Sequence, residues 1–236
     1  MTKKIEKRIS PDKKGVLLAL ILSFLWSGNP ISIKIGLVDA PPLRLGWMRF
    51  ILGGLVAITW AIYNKEKIFI RKSDIAPLIG VGLLFSIQLG FMNIGQNYTT
   101  GGHGVIMITT FPLWSSIFSH FFVPNDKLTK FKSLGMFIAY TGIIILFWES
   151  ISNSVNNYVL GDLLMLVSAM LLGARQIYIS QIAQGIEQIK ILLSQAIVGI
   201  VTFFICSLFF ENESYNFTYN LIIALFYQGI IIAGFG

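Results

Sequence analysis

Two arginines interrupt long apolar runs of this chain: Arg49 lies within Leu43 to Tyr63, and Arg175 within Gly161 to Ile182. A charged side chain at the centre of a hydrocarbon layer costs about 2.5 to 3.5 kcal/mol on insertion scales, so its presence calls for a reason. A guanidinium is a permanently charged fork of donors, suited to an anionic or zwitterionic solute. Arg49 stands about two turns into its run, and two readings are open. Either it lines a cavity, or its long stem snorkels to an interface about 9 Å away. Arg175 lies nearer an end of its run, where the same two readings compete. Lys34 falls at the end of the first apolar run and reads as interfacial.

Uncharged polar groups are more numerous. Gln88, Asn93 and Gln96 lie in one run, and Gln88 and Gln96, eight residues apart, share a helix face. Such amides present hydrogen bonds to a solute or hold helices together. Asn29-Pro30 and Pro112 interrupt helical hydrogen-bond ladders, which gives either a hinge or a static bend. Trp26, Trp114 and Tyr178 offer aromatic walls or lipid-facing belt positions. Small residues at every fourth position (Gly82, Ser86, Gly90 and Ala19, Ser23, Ser27) read as close helix packing.

The elements that must position these groups are set by composition. Apolar residues make up 55% of the chain and charged ones 12%, at a mean hydropathy of +0.73. A soluble domain carries about 25% charged residues, so water is not the main solvent here. The net charge of +7 is spread over short segments that flank apolar runs, which argues against nucleic acid. No Gly-x-x-x-x-Gly-Lys loop cradles a nucleotide, and His103, His120 and Cys206 form no metal-ligand spacing. An enzyme would need a nucleophile and base or paired carboxylates within the bundle. The only acid that falls inside a run is Asp162, at a boundary, and no cofactor is expected.

Eight runs are long and apolar enough to be membrane spans: Gly15–Leu37, Leu43–Tyr63, Ile75–Ile94, His103–Val123, Leu134–Trp148, Gly161–Ile182, Ile191–Phe210 and Leu221–Gly236. Continuous apolar runs of this length are helices rather than barrel strands. The expected fold is therefore an all-α integral membrane protein, a polytopic helical bundle. The N-terminal tail and the segments 64–72 and 124–132 are basic, through Lys65, Lys67, Arg71, Lys72, Lys127, Lys130 and Lys132. The alternate segments 38–42, 97–102, 149–160 and 211–220 contain no Lys or Arg. The positive-inside rule then places the N-terminus in the cytoplasm.

The first and sixth runs open alike, Gly15-Val-Leu-Leu against Gly161-Asp-Leu-Leu, and Gly82 of the third aligns near Gly229 of the eighth. A repeat of five spans is odd, so its copies have opposite orientation, a construction used by secondary transporters. Further motifs carry a resemblance: Leu22-Ser-Phe-Leu-Trp-Ser-Gly-Asn-Pro30, Ala40-Pro-Pro-Leu43, Trp47-Met-Arg49-Phe-Ile-Leu, Asn93-Ile-Gly-Gln-Asn-Tyr-Thr99, Thr110-Phe-Pro112-Leu, Asn125-Asp-Lys-Leu-Thr129 and Gly135 through Gly142. In this order and spacing the chain resembles the EamA type of the drug/metabolite transporter superfamily. Asp126 stands where the family commonly has Glu, and the family usually has ten spans where eight are visible.

The resemblance implies a basic cytoplasmic tail (1–14), a first repeat of five spans (15–148), an outer linker (149–160) and a partial second repeat of three (161–236). It implies a secondary transporter of small organic metabolites, working by alternating access in a bacterial inner membrane. The alternative is a non-transporting membrane fragment or scaffold completed by a partner. The expected partners are the lipid bilayer and a small-molecule substrate, with a homo-oligomer left open. Arg49, Gln88, Asn93, Gln96, Trp26, Trp114, Arg175 and Tyr178 are the substrate-binding candidates, and Asn29, Pro30 and Pro112 the hinge candidates.

Overall fold

The structure is a computed structural model that describes residues 12–66, 68–124, 126–152 and 158–232. Most of the basic tail, the middle of the 149–160 linker and the end of the eighth run lie outside the described residues. Every described regular element is helical. The first run forms α1 (Lys13–Ser27) and α2 (Asn29–Gly36), capped at its start by Asp12, whose carboxylate accepts from the Gly15 amide at 2.8 Å. Then follow α3 (Pro42–Tyr63) and α4 (Lys72–Tyr98). The fourth run is again two pieces, α5 (Gly101–Ile108) and α6 (Phe111–Phe122). After these come α7 (Lys130–Ser152), α8 (Val159–Ile182), α9 (Gln188–Phe210) and α10 (Tyr219–Phe226), the last continuing as a π-helical turn, Tyr227–Ile232.

Among the described residues, six helical stretches are long and apolar enough to cross a membrane, counting α1 with α2 and α5 with α6 as one each. The 23-residue α7 and the shorter α10 segment coincide with the two remaining expected runs. Phe24, Phe131, Ile138 and Phe209 are among the large side chains left exposed, as expected of a surface solvated by lipid.

Both broken spans break where proline removes a ladder donor. Pro30 and Pro112 each sit in the first turn of the second piece, where a missing N–H costs little. At the first break the Tyr227 hydroxyl donates to the Leu25 carbonyl at 2.6 Å, which satisfies an acceptor at the end of α1.

Helix α4 packs along α8 and α9, α3 along α9, and α6 along α8. Two glycines let α8 come this close. A Cβ on Gly161 would lie 2.7 Å from the Thr99 amide nitrogen, and one on Gly173 2.8 Å from that of Ser115. Phe50 anchors the apolar interior between them, edge-on to Phe85 and Phe203 with ring centroids 5.4 Å away in each case. Gly82 of the small-residue ladder faces Val198 and Ser194 of α9, so its role is packing. Helix α7 lies at the periphery, lightly packed on α8.

Successive spans alternate in direction, so the bundle has two ends. The described parts of the basic segments 64–72 and 124–132 gather at one, called the basic end. The segments around residues 37–41, 97–100 and 211–218 gather at the other, called the Glu211 end.

Candidate functional site

The break between α1 and α2 places Trp26 and Asn29 at mid-bundle, opposite Arg49 on α3. Helix α8 brings Arg175 to the same level. Both arginines line one cavity of about 200 Å³. Each is only 6% exposed, so both point into the protein and neither snorkels to an interface. Arg49 Nη1 donates to Asn29 Oδ1 at 3.4 Å. The Arg175 guanidinium lies over the Phe85 ring, 4.2 Å from its centroid, and its Nε–H has no hydrogen-bond partner among the described residues. Among the described residues, no carboxylate lines the cavity.

From the arginines the cavity runs toward the basic end, past Ala57 on α3 and Gln176 and Ile179 on α8, to Gln195 and Gln188 on α9. A second cavity, about 30 Å³, continues from Trp26, Arg49 and Phe85 to Pro30 and Gln88, with room for about one water. The structure thus brings together Trp26, Asn29, Pro30, Arg49, Gln88 and Arg175 from the sequence candidates.

The others stand apart from both cavities. Asn93 Nδ2 donates to the Pro42 carbonyl at 2.9 Å, and Gln96 Nε2 to that of Thr100 at 3.1 Å. Trp114 packs edge-on against Tyr140. The Tyr178 hydroxyl donates to the Pro77 carbonyl at 3.4 Å. Pro112 follows the α5–α6 break. Gln88 does both jobs: its side chain reaches the small cavity, and its Nε2 donates to Ser168 Oγ at 2.9 Å, tying α4 to α8.

Sequence reasoning passed over Gln188 and Gln195. They are seven residues apart, two turns on one helix face, and that spacing is the signal that would have found them. Gln188 falls outside the seventh apolar run, and Gln195 sits alone within it.

The helices are tied together differently at the two ends of the bundle. At the Glu211 end, Glu211 accepts from the Leu43 amide at 2.6 Å and the Arg44 amide at 2.9 Å, at the open N-terminus of α3. Arg44 Nη2 donates to the Glu211 carbonyl at 3.1 Å, and its guanidinium lies over Tyr215. Burial pushes the Glu211 carboxyl above its ordinary range, against the pull of the two amide donors. Thr218 Oγ1 donates to Asp39 Oδ2, and the Asn216 amide to the Asp39 carbonyl. The wholly buried Asp162 accepts from Thr99 Oγ1 at 2.5 Å and lies 2.9 Å from His103 Nδ1. Lys34 Nζ donates to the carbonyls of Gln96 and Asn97 in the last turn of α4.

At the basic end Asp126 accepts from Ser119 Oγ of α6 at 2.6 Å and pairs with Lys132 Nζ of α7 at 3.0 Å, whereas the contacts of α8 and α9 with α4 and α6 are neutral. Ser194 Oγ donates to the Leu78 carbonyl at 2.6 Å, and Gln181 Nε2 to that of Phe122 at 3.2 Å. The Lys190–Glu187 pair at 2.6 Å is local to the start of α9, and its hydrogen bond holds the Glu187 carboxyl below its ordinary range.

Comparison with known proteins adds a family. The pattern that defines the EamA-like transporter family matches residues 13–148. The uncharacterized transporter YoaV of Bacillus subtilis is 24% identical over 223 residues, which cover 93% of this chain and 76% of that protein. A probable amino-acid metabolite efflux pump of Escherichia coli is 24% identical over 207 residues, 86% of this chain and 67% of that protein. The uncharacterized inner membrane transporter YedA of E. coli is 24% identical over 189 residues, 79% of this chain and 59% of that protein.

Proposed function

The chain belongs to the EamA-like transporter family, and from that premise we propose that it moves small organic metabolites across a bacterial inner membrane by alternating access. One observation carries the proposal: the cavity reaches the mid-bundle arginines from the basic end, while carboxylates cross-link the helices at the opposite end. That is the shape of a carrier open to one side. With the basic loops cytoplasmic by the positive-inside rule, the open side is the cytoplasm.

The moving units are the two halves expected from the repeat, residues 15–148 and the portion from 161 onward, of opposite orientation. The hinge candidates are the breaks at Asn29-Pro30 and before Pro112, where the ladder is already interrupted. Arg49 and Arg175 are the substrate-binding residues, attracting an anionic or zwitterionic solute, with Trp26 as a wall and Gln88 at the inner corner. The name of the E. coli relative, a probable amino-acid metabolite efflux pump, supports metabolites as the substrate class and export as a direction to assay.

The test is flux. Vesicles bearing the protein should exchange a labelled metabolite from a screened set, and Arg49→Ala should abolish the exchange at equal protein level. Exchange unaffected by Arg49→Ala would remove the arginine cavity as the substrate site.

A further inference from the structure

Resting on the reading of this cavity as the substrate site, its charge inventory names the substrate more closely. Among the described residues, the cavity wall carries two guanidiniums and no acidic or histidine side chain. Buried charges in proteins are paired or hydrogen-bonded, and an unpaired pair of like charges in one pocket is costly. Their partners do not neutralise them. Arg49 meets the neutral amide oxygen of Asn29, Arg175 meets the face of Phe85, and Arg175 Nε–H is unpartnered.

The acids on the flanking helices are already engaged, and two of them are also far away. Asp162 lies 13 residues up α8 from Arg175, roughly 20 Å along the axis, and is bound to Thr99 and His103. Asp74 lies 11 residues from Phe85 on α4, roughly 16 Å, and is bound to Ser73. Glu187 is taken by Lys190.

We infer that the cavity takes a small organic dianion, either a dicarboxylate or a phosphate monoester, that carries no ammonium group. A dianion neutralises both guanidiniums, and its oxygens match their forked donors. A monoanion leaves one charge unpaired. A zwitterion adds no net charge and sets its ammonium beside two cations, with no carboxylate in the wall to receive it. Gln176, Gln188 and Gln195 supply neutral amides along the remainder of the cavity. The space admits roughly seven water-sized groups at about 30 Å³ each, which suits a four-carbon diacid.

Thermal melting of the purified protein in nanodiscs at constant ionic strength reads this without transport. The probes are succinate, glycerol 3-phosphate, propionate and alanine. Succinate or glycerol 3-phosphate should raise the melting temperature at concentrations at least tenfold below those that propionate or alanine need. Arg175→Gln should reduce the preference for succinate over propionate about tenfold or more, and Arg175→Lys should keep it. Propionate or alanine equalling the better dianion, or neither dianion stabilising at 10 mM, would overturn the inference, as would an unchanged preference in a folded Arg175→Gln variant. If that variant does not fold, the wild-type probe ranking decides alone. Binding of a dianion without flux would sink the transporter reading and leave this inference standing; flux of alanine without dianion binding would do the reverse.

Discussion

The Glu211 end and the basic end of the bundle are built from the same kind of helix, yet carboxylates tie α3 and α4 to the helices that follow α7 at the first, and neutral hydroxyl and amide contacts tie α4 and α6 to α9 and α8 at the second. A hydrogen bond to a charged group is worth about 1.5 to 3 kcal/mol, against about 0.5 to 1.5 for a neutral one. The cavity lies on the side of the weaker contacts. In a machine that must close one end to open the other, the stronger end is the one that holds the observed state, and its carboxylates are what opening must break.

The largest expected break is at Asp162. Asp162→Ala leaves the buried Thr99 hydroxyl and His103 ring without their acceptor, and should destabilise the protein by about 3 kcal/mol or more in detergent unfolding. If its cost were no greater than that of a neutral contact, the two ends would be energetically equivalent and the comparison would fail. Glu211→Ala should cost about 2 kcal/mol, because two amides at the start of α3 lose a carboxylate. In distance measurements between spin labels at Val38 and Asn216, it should also widen the Glu211 end. Ser194→Ala at the basic end should cost only about 1 kcal/mol by the same unfolding measurement and leave that distance unchanged.

The smallest effect is a difference of sign with pH. Glu211 is held above the ordinary carboxyl range, so the folded state binds its proton more readily than the unfolded one. Its contribution to stability declines as pH rises from about 4.5 through the folded value. Glu187 is held below that range, so its contribution is present above about 4.5 and is lost as pH falls through the folded value. Melting curves of Glu211→Gln and Glu187→Gln, each against the parent across this interval, should show opposite slopes.

The spans were legible because twenty apolar residues in a row admit only one backbone solution in lipid. The broken first and fourth spans were legible because proline removes a donor wherever it falls. Arg49 and Arg175 stood out because charge inside such a run is rare, but sequence spacing could not show that two arginines 126 positions apart share one cavity. Asn93, Gln96, Trp114 and Tyr178 have the right chemistry for a site and stand elsewhere, since an amide or a hydroxyl binds a helix carbonyl as readily as a solute. The Glu211 clamp reaches 168 residues back to Leu43 and has no local signature at all. Gln188 was lost for a different reason: it lies where the apolar run has not yet begun.

The central claim is that the path to the arginines opens from one side only. In a Cys206→Ser background, Gln195→Cys sits on that path, on the cavity wall and buried from the bulk surface. Labelling with a membrane-impermeant maleimide in vesicles of known orientation tests it directly. Modification from the cytoplasmic face, with protection from the outer face, is the expected result. Modification from the outer face alone would place the open side opposite to this account, and no modification from either face would contradict a path to Arg49 and Arg175.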